Sequence, residues 1–445
     1  MYNLTVEDLL SKVSAALAEY TDKKLAFGVS GGRDSMCLLH AAVNGGVVNK
    51  DNIIVVHVNH GLRDEADSDE TLVREYCAAI GVRFRAYRVD VMREAAEKSL
   101  TIEQAARDLR YGIFYGLIKS RVADAVLTAH HALDNAESVL MHLFRGAGLD
   151  GVCGMKTHGG KVVRPMLGVY PSELEEYSKA NNIEYAVDKT NFEDDADRNF
   201  IRLNVIPMIE RRYRGAVRAV NEFSRECREA RDMLENALDM RNIRYSDGAA
   251  IVNDSALRSD LAARYVRRAL GYFSLTDVTR DMIARVVALA DKRTGAVVEL
   301  CNGAVAAREY GEVAVYVPRL PCSTEIPFGM GSNFLDGIAV DFRLDDTPPL
   351  KAPKGGAADA DKLGGATLRF ARDGDTFMPF GASARKGLNR YFIDEKVPAR
   401  LRGRIPLVCR GNDVLVVVGM QISESVKQTA ATVRKAVIAR RGYDR

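Results

Sequence analysis

A glycine-rich turn between a strand and a helix is the feature that most restricts the fold of this chain. Residues 30–35 read Ser-Gly-Gly-Arg-Asp-Ser and follow directly on the apolar run 25–29. A helical pattern then starts at Ser35. Free backbone N–H groups and the positive end of a helix dipole meet at such a junction, and glycine lets a ligand approach the backbone closely. The sequence therefore predicts a phosphate-binding turn at this point.

The same turn differs from two common nucleotide-binding motifs. It lacks the Gly-Lys-Ser/Thr end of the nucleoside-triphosphate loop, and it is not the dinucleotide motif G-x-G-x-x-G. Asp34 instead places a carboxylate beside the phosphates, which fits a divalent cation such as Mg²⁺ between them. The alternative is an ordinary Gly-Gly turn with a serine cap, which the strand, Asp34 and Ser35 together disfavour. The predicted nucleotide-binding residues are Ser30, Gly31, Gly32, Arg33, Asp34 and Ser35.

Length and composition describe a globular chain of several domains. At 445 residues, with 47% hydrophobic and 28% charged residues, about three domains are expected. No stretch of about 18 uncharged apolar residues occurs and the N-terminus lacks a signal-peptide pattern, so we expect no membrane span. The seven cysteines are scattered and none form Cys-x-x-Cys. This usage predicts a cytoplasmic protein without a zinc ribbon, an iron–sulfur cluster or a redox pair.

The first part of the chain alternates strand-like and helix-like segments. Strands separated by helices imply right-handed crossovers and a mostly parallel, doubly wound, Rossmann-like α/β sheet. Ligands bind beyond the carboxyl ends of the strands in such sheets. We therefore predict that residues 1–205 form a catalytic domain. Strands are predicted at 25–29, 53–58, 84–89 and 125–129, and helices at 35–43, 68–80, 102–120 and 134–144.

The rest of the chain is predicted to hold two further domains and a linker. Residues 206–346 are expected to be mainly helical, and 347–365 to form a Pro/Gly/Ala-rich linker. Residues 366–445 are predicted to be a small α+β domain carrying 16 Lys/Arg against 7 Asp/Glu. This basic balance favours a polyanion partner, with a solvated charged surface as the alternative.

The first polar motif after a strand is HVNHGLR at 57–63. It follows the second predicted strand, so its polar groups emerge at the edge of the sheet where ligands bind. We expect His57 to be a buried, satisfied histidine. We expect Asn59, His60 and Arg63 to face a nucleotide or the substrate.

Two further motifs place charged side chains on helices. Arg107 and Arg110 share a helix face, and pairing of Glu103 with Arg107 leaves Arg110 to reach a phosphate, unless this is a plain salt-bridged helix. Asp134, Glu137 and Ser138 also share one face, because they are three and four residues apart. Two carboxylates and a hydroxyl facing a phosphate loop can hold Mg²⁺ or orient an amine, although Asp134 can also act as a simple N-terminal cap. Arg198 and Arg202 are spaced i, i+4 and point the same way.

Taken in order, these motifs resemble the tRNA(Ile)-lysidine synthase family of the PP-loop (N-type ATP pyrophosphatase) superfamily. The resemblance extends over most of the chain and is weakest at 215–365. The C-terminal stretch 372–407 also resembles the C-terminal domain of that family. The matching motifs are SGGRDS at 30–35, HVNHGLR at 57–63, ARDLRY at 106–111, HHALDNAES at 130–138, RGAGLDG at 145–151, RPML at 164–167 and the polar residues of 188–202.

This resemblance implies a ligase that uses ATP, Mg²⁺, free L-lysine and the isoleucine tRNA with anticodon CAU. The O2 of cytidine 34 attacks the α-phosphate of ATP and releases pyrophosphate. The lysine ε-amine then attacks C2 and expels AMP, leaving lysidine, which reads AUA instead of AUG. The roles implied are catalysis by Asp34, Arg110, Asp134 and Glu137, metal binding by Asp34 and Asp134, and substrate binding by Asn59, His60, Arg63, Ser138, Arg198 and Arg202.

Two residues depart from the family pattern. Leu133 stands where the first of two aspartates is usual, so only Asp134 can carry the carboxylate role there. Asn135 replaces glutamine but keeps an amide. Loss of the carboxylate at position 133 is expected to weaken metal binding.

Three other functions fit only part of this pattern. A tRNA thiolase needs paired cysteines, and a glutamine-dependent synthetase needs an ammonia-producing domain; neither is evident in the sequence. A non-catalytic tRNA-binding protein is suggested only by Leu133. The sequence leaves the oligomeric state open, a homodimer included.

Overall fold

The computed structural model describes residues 6–62, 66–186, 197–275, 278–320, 322–345 and 357–441. Arg63 and the predicted motif at 188–191 lie outside the described residues. The chain divides into two compact units, Met1–Met233 and Leu234–Arg445. The predicted boundary at residue 205 therefore falls inside the first unit.

The first unit is built on a six-stranded sheet with the order β3-β2-β1-β4-β6-β5. All neighbouring pairs are parallel except β5 with β6. This order, in which the chain moves outward from β1 to β3 and then to the other side, confirms the predicted doubly wound α/β sheet. The strands are β1 (Leu25–Gly28), β2 (Ile53–Asn59), β3 (Arg83–Arg88), β4 (Ala125–Leu127), β5 (His158–Gly159) and β6 (Val162–Val163).

Helices cover both faces of this sheet, which is why β1 and β2 are apolar along nearly their whole length. Phe27 and Val55 face a core shared with α1, α2 and α8, and Ala26 and Ile54 face a second core with Phe114 of α5. The helices are α1 (Val6–Leu17), α2 (Arg33–Asn44), α3 (Ala66–Ile80), α4 (Val91–Lys98), α5 (Ile102–Lys119), α6 (Ala132–Phe144), α7 (Leu149–Val152), α8 (Pro171–Ala180), α9 (Asp197–Phe200), α10 (Ile206–Arg212) and α11 (Ala216–Asn236).

Local sequence signals explain where these elements begin. Thr101 and Gln104 form a reciprocal capping box at the start of α5, so two backbone N–H groups that a helix start leaves free are bonded. The last residue of β1, Gly28, lies under the ring of Phe114: a Cβ at this position would stand 2.7 Å from Phe114 Cζ. A glycine is needed here for close helix–sheet packing.

The described part of the second unit contains three sheets. The first is antiparallel, with the order β7-β8-β11-β10-β9, and α13 and α14 pack against it in one apolar core. Its strands are β7 (Ile243–Ser246), β8 (Ala249–Asn253), β9 (Val297–Glu299), β10 (Val305–Glu309) and β11 (Glu312–Tyr316). The helices of this unit are α12 (Asp254–Leu257), α13 (Ala262–Gly271), α14 (Arg280–Val287), α15 (Leu388–Asp394) and α16 (Ala399–Arg402).

The other two sheets have the orders β12-β16-β19-β20-β17-β18, with β21 beside β20, and β13-β14-β22-β15. A fully buried pair, Arg369 with Asp375, joins β16 to the turn before β17 through two N–H···O bonds of 2.9 and 2.7 Å. The strands are β12 (Glu325–Pro327), β13 (Gly331–Leu335), β14 (Ile338–Leu344), β15 (Ala357–Asp359), β16 (Thr367–Arg369), β17 (Thr376–Phe377), β18 (Lys386–Gly387), β19 (Leu407–Arg410), β20 (Asp413–Val417), β21 (Gln421–Ile422) and β22 (Lys435–Arg440).

Two expectations about this half of the chain need correction. Residues 206–346 are helical as far as Asn236, but eight strands follow among the residues described between 243 and 344. Many of these strands are short and rich in Ala and Val, so their apolar runs resemble buried helix turns. In the predicted linker 347–365, Ala357–Asp359 pair with β22; the small residues that suggested a linker instead fit a close-packed strand.

The sequence predicts no membrane span, and its cysteine usage predicts a cytoplasmic protein. Within the described ranges, no helix has the length and apolarity needed to cross a membrane. All seven cysteines lie in the described ranges and none forms a disulfide; Cys37, Cys77, Cys153 and Cys409 are buried.

Candidate active site

A cleft of about 860 Å³ opens at the carboxyl ends of β1, β2 and β4 in the first unit. It lies at the edge that the sheet order predicts for a ligand. Ten predicted site residues line it: Ser30, Gly32, Arg33, Asp34, Ser35, Asn59, His60, Arg110, Asp134 and Arg202.

The glycine-rich loop is closed by its own serines. Ser35 Oγ donates to Gly32 O at 2.9 Å and accepts the N–H of Ser30 at 3.2 Å. Gly31 has φ +92°, a backbone conformation that residues with a side chain rarely adopt. Helix α2 begins at Arg33, and its cap residue Gly32 makes no side-chain cap bond. The N–H groups of the first turn of α2 are therefore open to an anion.

Asp34 and Asp134 are linked through His131. The N–H of Leu133 donates to His131 Nδ1 at 3.2 Å, so Nε2 carries the ring proton and faces Asp34 Oδ2 at 3.3 Å. Burial lowers the pKa of His131, but the hydrogen bond to Asp34 and the charge of Asp134 outweigh it and raise the pKa. Burial raises the pKa of Asp34, but His131 and Arg33 outweigh it and hold that pKa below its usual value. Asp34 is thus an ionised carboxylate, and its side chain is 35% exposed.

Arg110 lies in the cleft wall, and burial lowers the pKa of its guanidinium. Its Nε is buried, and among the described residues it has no hydrogen-bond partner. Arg107 stacks over the ring of Tyr111 at 5.0 Å. A buried cation with an open donor in a cleft is suited to binding an anion.

Asp134, Glu137, Arg198 and Arg202 form one ion-pair network. Asp134 Oδ1 accepts from Arg198 Nη2 at 2.9 Å and from Arg202 Nη2 at 3.0 Å. Glu137 accepts from Arg198 Nε at 2.7 Å and from Arg202 Nε at 2.5 Å. The side chain of Glu137 is fully buried. The two arginines come from a helix interrupted by a π-helical turn at Ile201–Val205, a feature often found at functional sites.

Comparison with known proteins shows which family the chain belongs to. Residues 5–209 match a family described as the PP-loop domain, and residues 366–437 match the TilS substrate C-terminal domain. A tRNA(Ile)-lysidine synthase of Clostridium acetobutylicum is 30% identical over 95% of this chain and 96% of its own length. The chain belongs to the tRNA(Ile)-lysidine synthase family. Enzymes of the same name from Caldanaerobacter subterraneus (32% identity, 97% of each chain) and Geobacter sulfurreducens (31%, 98% of each) are also similar.

Against this family background, several predicted residues lie in unexpected surroundings. Asn59 is buried, and its amide donates to Asp67 Oδ1 at 2.9 Å while its oxygen accepts the N–H of Gly61. These bonds fix the start of α3. They engage both polar atoms of the Asn59 amide, so few of its hydrogen-bonding groups remain for a substrate. His57 is buried and bonds Val29 O at 2.9 Å, as expected.

The tRNA(Ile)-lysidine synthase pattern also predicted that Arg198 and Arg202 bind a substrate. In the structure their guanidinium groups bind Asp134 and Glu137, because the π-helical turn brings them over α6, and Arg202 also lines the cleft. Glu137, Ser138 and Arg198 do not contribute to the cleft wall.

The position where the lysidine synthase family usually has aspartate, Leu133, is used for packing. Its side chain contacts the apolar cluster of Leu140, Ile201 and Ile206. Among the described residues, no group of three His, Cys, Asp or Glu side chains is arranged to hold a metal ion by itself. A metal here would need ligands from a substrate as well.

Some cleft residues were not predicted from the sequence. His131, Asp69 and Tyr185 all line the cleft, and His131 bridges the two aspartates. Adjacent histidines at 130–131 were a visible signal for His131. No local pattern marked Asp69 or Tyr185, which tertiary packing alone brings to the edge of the sheet.

Proposed function

We propose that this chain forms lysidine at cytidine 34 of the CAU-anticodon isoleucine tRNA, using ATP to activate the base and free L-lysine as the nucleophile. One observation carries the proposal. The same cleft is lined by the glycine-rich loop, by the buried Arg110, and by Asp134 and Arg202, the two members of the ion-pair network that reach it. Full-length similarity to tRNA(Ile)-lysidine synthases supports it.

ATP fits the side of the cleft formed by the glycine-rich loop. The open N–H groups of α2 and the Arg110 guanidinium stabilise the charge on the departing pyrophosphate. Asp34 fits a Mg²⁺ ligand, because it is ionised, partly exposed and beside the loop. When bound, Mg²⁺ would supply further charge neutralisation of the phosphates. Asp134 fits this role less well, because its side chain is 13% exposed against 35% for Asp34, and its oxygens accept from Arg198, Arg202 and the N–H of His131.

Free lysine fits the part of the ion-pair network that lines the cleft. An ammonium group of lysine matches Asp134 rather than the fully buried Glu137, and its α-carboxylate matches the guanidinium of Arg202, which also lines the cleft. Asp134 is the carboxylate of the pair that reaches the cleft. It can accept a proton from the lysine ε-ammonium, which must become a neutral amine before it attacks.

The reaction proceeds in two displacements. Cytidine 34 leaves its stack to enter the cleft; its O2 attacks the α-phosphorus of ATP, and the bond to pyrophosphate breaks. The ε-amine then attacks C2, the C2–O bond breaks, and AMP leaves with the electron pair of that bond. ATP, tRNA and free lysine are all cytoplasmic, so we place the enzyme there.

Incorporation of labelled lysine tests this proposal. Purified protein, ATP and Mg²⁺ are incubated with a CAU-anticodon isoleucine tRNA transcript, and Asp34→Ala is assayed in parallel. ATP-dependent labelling that is lost in the variant and absent with methionine tRNA is expected. Tight tRNA binding without labelling would overturn the proposal.

A further inference from the structure

Helix α11 packs on α6 and on the loop after α7 through a row of polar side chains. Asn221, Ser224 and Arg228 are spaced i, i+3 and i+7, so they share one face. Ser224 is fully buried, while Asn221 and Arg228 are half-buried. A polar row at a packed face is costly unless its groups are bonded, so each bond here has a structural consequence.

The centre of this row is a pair of asparagine amides. Asn135 of α6 is buried, and its Nδ2 donates to Asn221 Oδ1 at 2.7 Å. Asn221 Nδ2 donates to Ala132 O at 2.9 Å and to Val217 O at 2.8 Å. Asn135 Oδ1 accepts the N–H of Met155 at 2.6 Å. Backbone groups at both ends fix which atom of each amide faces the other.

The loop after α7 closes tightly over this pair. Gly154 has φ +62°, and a Cβ there would lie 2.4 Å from Asn135 Oδ1 and 2.5 Å from Ser224 Oγ. Arg228 Nη2 donates to Cys153 O at 2.6 Å and to Met155 O at 2.7 Å. The loop, α6 and α11 are therefore held at one point.

This contact lies at the start of α6, the helix that carries Asp134 and Glu137. Ala132, whose carbonyl Asn221 binds, is the first residue of α6, and the cap residue before it is His131. Asp134 and Glu137 belong to the first two turns of the same helix. A shift of this helix start moves Asp134 and Glu137 together.

We propose that Asn135 and Asn221 are positioning residues for the lysine-transfer step, which they serve by fixing the first turn of α6 against α11. The inference rests on the proposed function, in which Asp134 receives lysine. Asn135 stands where the family usually has glutamine, and in this chain its amide reaches the asparagine on α11.

Two half-reactions, measured separately, test the inference on the full-length protein. Adenylation of the tRNA is followed with labelled ATP without lysine, and lysine transfer is followed over a range of lysine concentrations. Asn221→Ala and Asn135→Ala are each expected to raise the KM for lysine by about tenfold, with the KM for ATP unchanged. The double variant is expected to be little worse than either single one, because both remove the same bond.

Ser224→Ala is the matched control. Its hydroxyl lies on the same buried face but has no hydrogen-bond partner among the described residues, so wild-type kinetics are expected. Asn221→Ser is the second variant in case Asn221→Ala fails to fold, since a serine hydroxyl can still bond Val217 O one turn back. It should show the same rise in the KM for lysine.

The outcomes separate the inference from the proposed function. Asp134→Asn is measured in the same assay. If it leaves the KM for lysine unchanged, the proposed lysine site is wrong. If it raises that KM while folded asparagine variants change all substrates equally or none, the pair is merely structural and the inference is overturned.

Discussion

Two aspartates of the cleft show how surroundings separate the roles of identical residues. Asp34 contacts Arg33 and His131 and its side chain is 35% exposed, whereas Asp134 is 13% exposed and is bonded to the His131 N–H and to two guanidinium groups. Residue type and spacing predicted both as metal ligands. Only the structure shows that Asp34 is the more exposed of the two and that Asp134 belongs to an ion-pair network with Arg198 and Arg202.

Arg110 is expected to lower the stability of the protein and to raise its activity. Its buried Nε has no described partner, so Arg110→Met should raise the free energy of unfolding by about 1 kcal/mol. The same change should slow tRNA adenylation on the order of hundredfold, because a phosphate-binding cation is removed. Thermal melting and pyrophosphate release measure the two effects. A variant that is both less stable and fully active would contradict the assignment.

His130 should make the first unit sensitive to acid. Burial lowers the pKa of its imidazole to about 3 from 6.5, so the unfolded chain binds a proton that the folded chain does not. Its contribution to stability is therefore present above pH 6.5 and is lost as the pH falls, by about 1 kcal/mol per pH unit.

Melting temperatures of wild type and His130→Asn between pH 7 and pH 4.5 check this. The variant should lose less stability over that range than wild type does. Parallel curves would show that His130 does not titrate in this way.

At the scale of elements, helix–sheet distance is set by small residues. Helix α5 approaches β1 at Gly28, and the loop after α7 approaches α6 at Gly154. Helical periodicity predicted α5 and its cap residue Thr101, but no local pattern indicated which glycine lies at a contact. The contact partner is more than 80 residues away from Gly28 in sequence, so only the folded chain identifies it.

A pair of glycine substitutions tests this distinction. Gly28→Ala should destabilise the protein by roughly 1–3 kcal/mol, because its Cβ would meet the Phe114 ring. Gly116→Ala in α5 meets nothing within 4 Å and should stabilise it by about 0.5–1 kcal/mol. Thermal melting compares the two, and equal shifts would contradict the packing argument.

At the scale of the whole molecule, charge is divided unevenly. The segment 366–445 carries the excess of Lys and Arg, and 366–437 matches the TilS substrate C-terminal domain. Many of its cations are paired, for example Arg385 with Asp413 and Arg390 with Asp394. The exposed cations outside such pairs are therefore the better candidates for binding tRNA phosphates.

Salt dependence of tRNA binding tests this assignment. Lys396→Ala and Arg440→Ala together should weaken binding and reduce the slope of log K against log salt concentration by about 1 for each phosphate that is no longer neutralised. Lys179→Ala, which removes an exposed charge from α8 of the first unit, is the control and should leave the slope unchanged. Filter-binding titrations at several salt concentrations measure it. Identical slopes in all variants would show that these two cations do not bind tRNA.

The sequence by itself determined the sheet domain, the glycine-rich turn after β1 and the family. Strand-like apolar runs, helix caps and the SGGRDS turn are local signals, and local backbone preferences are sufficient to form those elements. The sequence did not reveal the strands described between 243 and 344 or the strand at Ala357–Asp359, because short runs of Ala and Val acquire a strand conformation only from their neighbours.

Tertiary structure alone decided which charges meet. Arg198 and Arg202 are more than 60 residues from Asp134 and Glu137, and their pairing depends on how a π-helical turn lies over α6. The amide pair of Asn135 and Asn221 is equally non-local. Electrostatic and hydrogen-bond partners are set by distances of a few ångströms in space, which the order of residues along the chain does not contain.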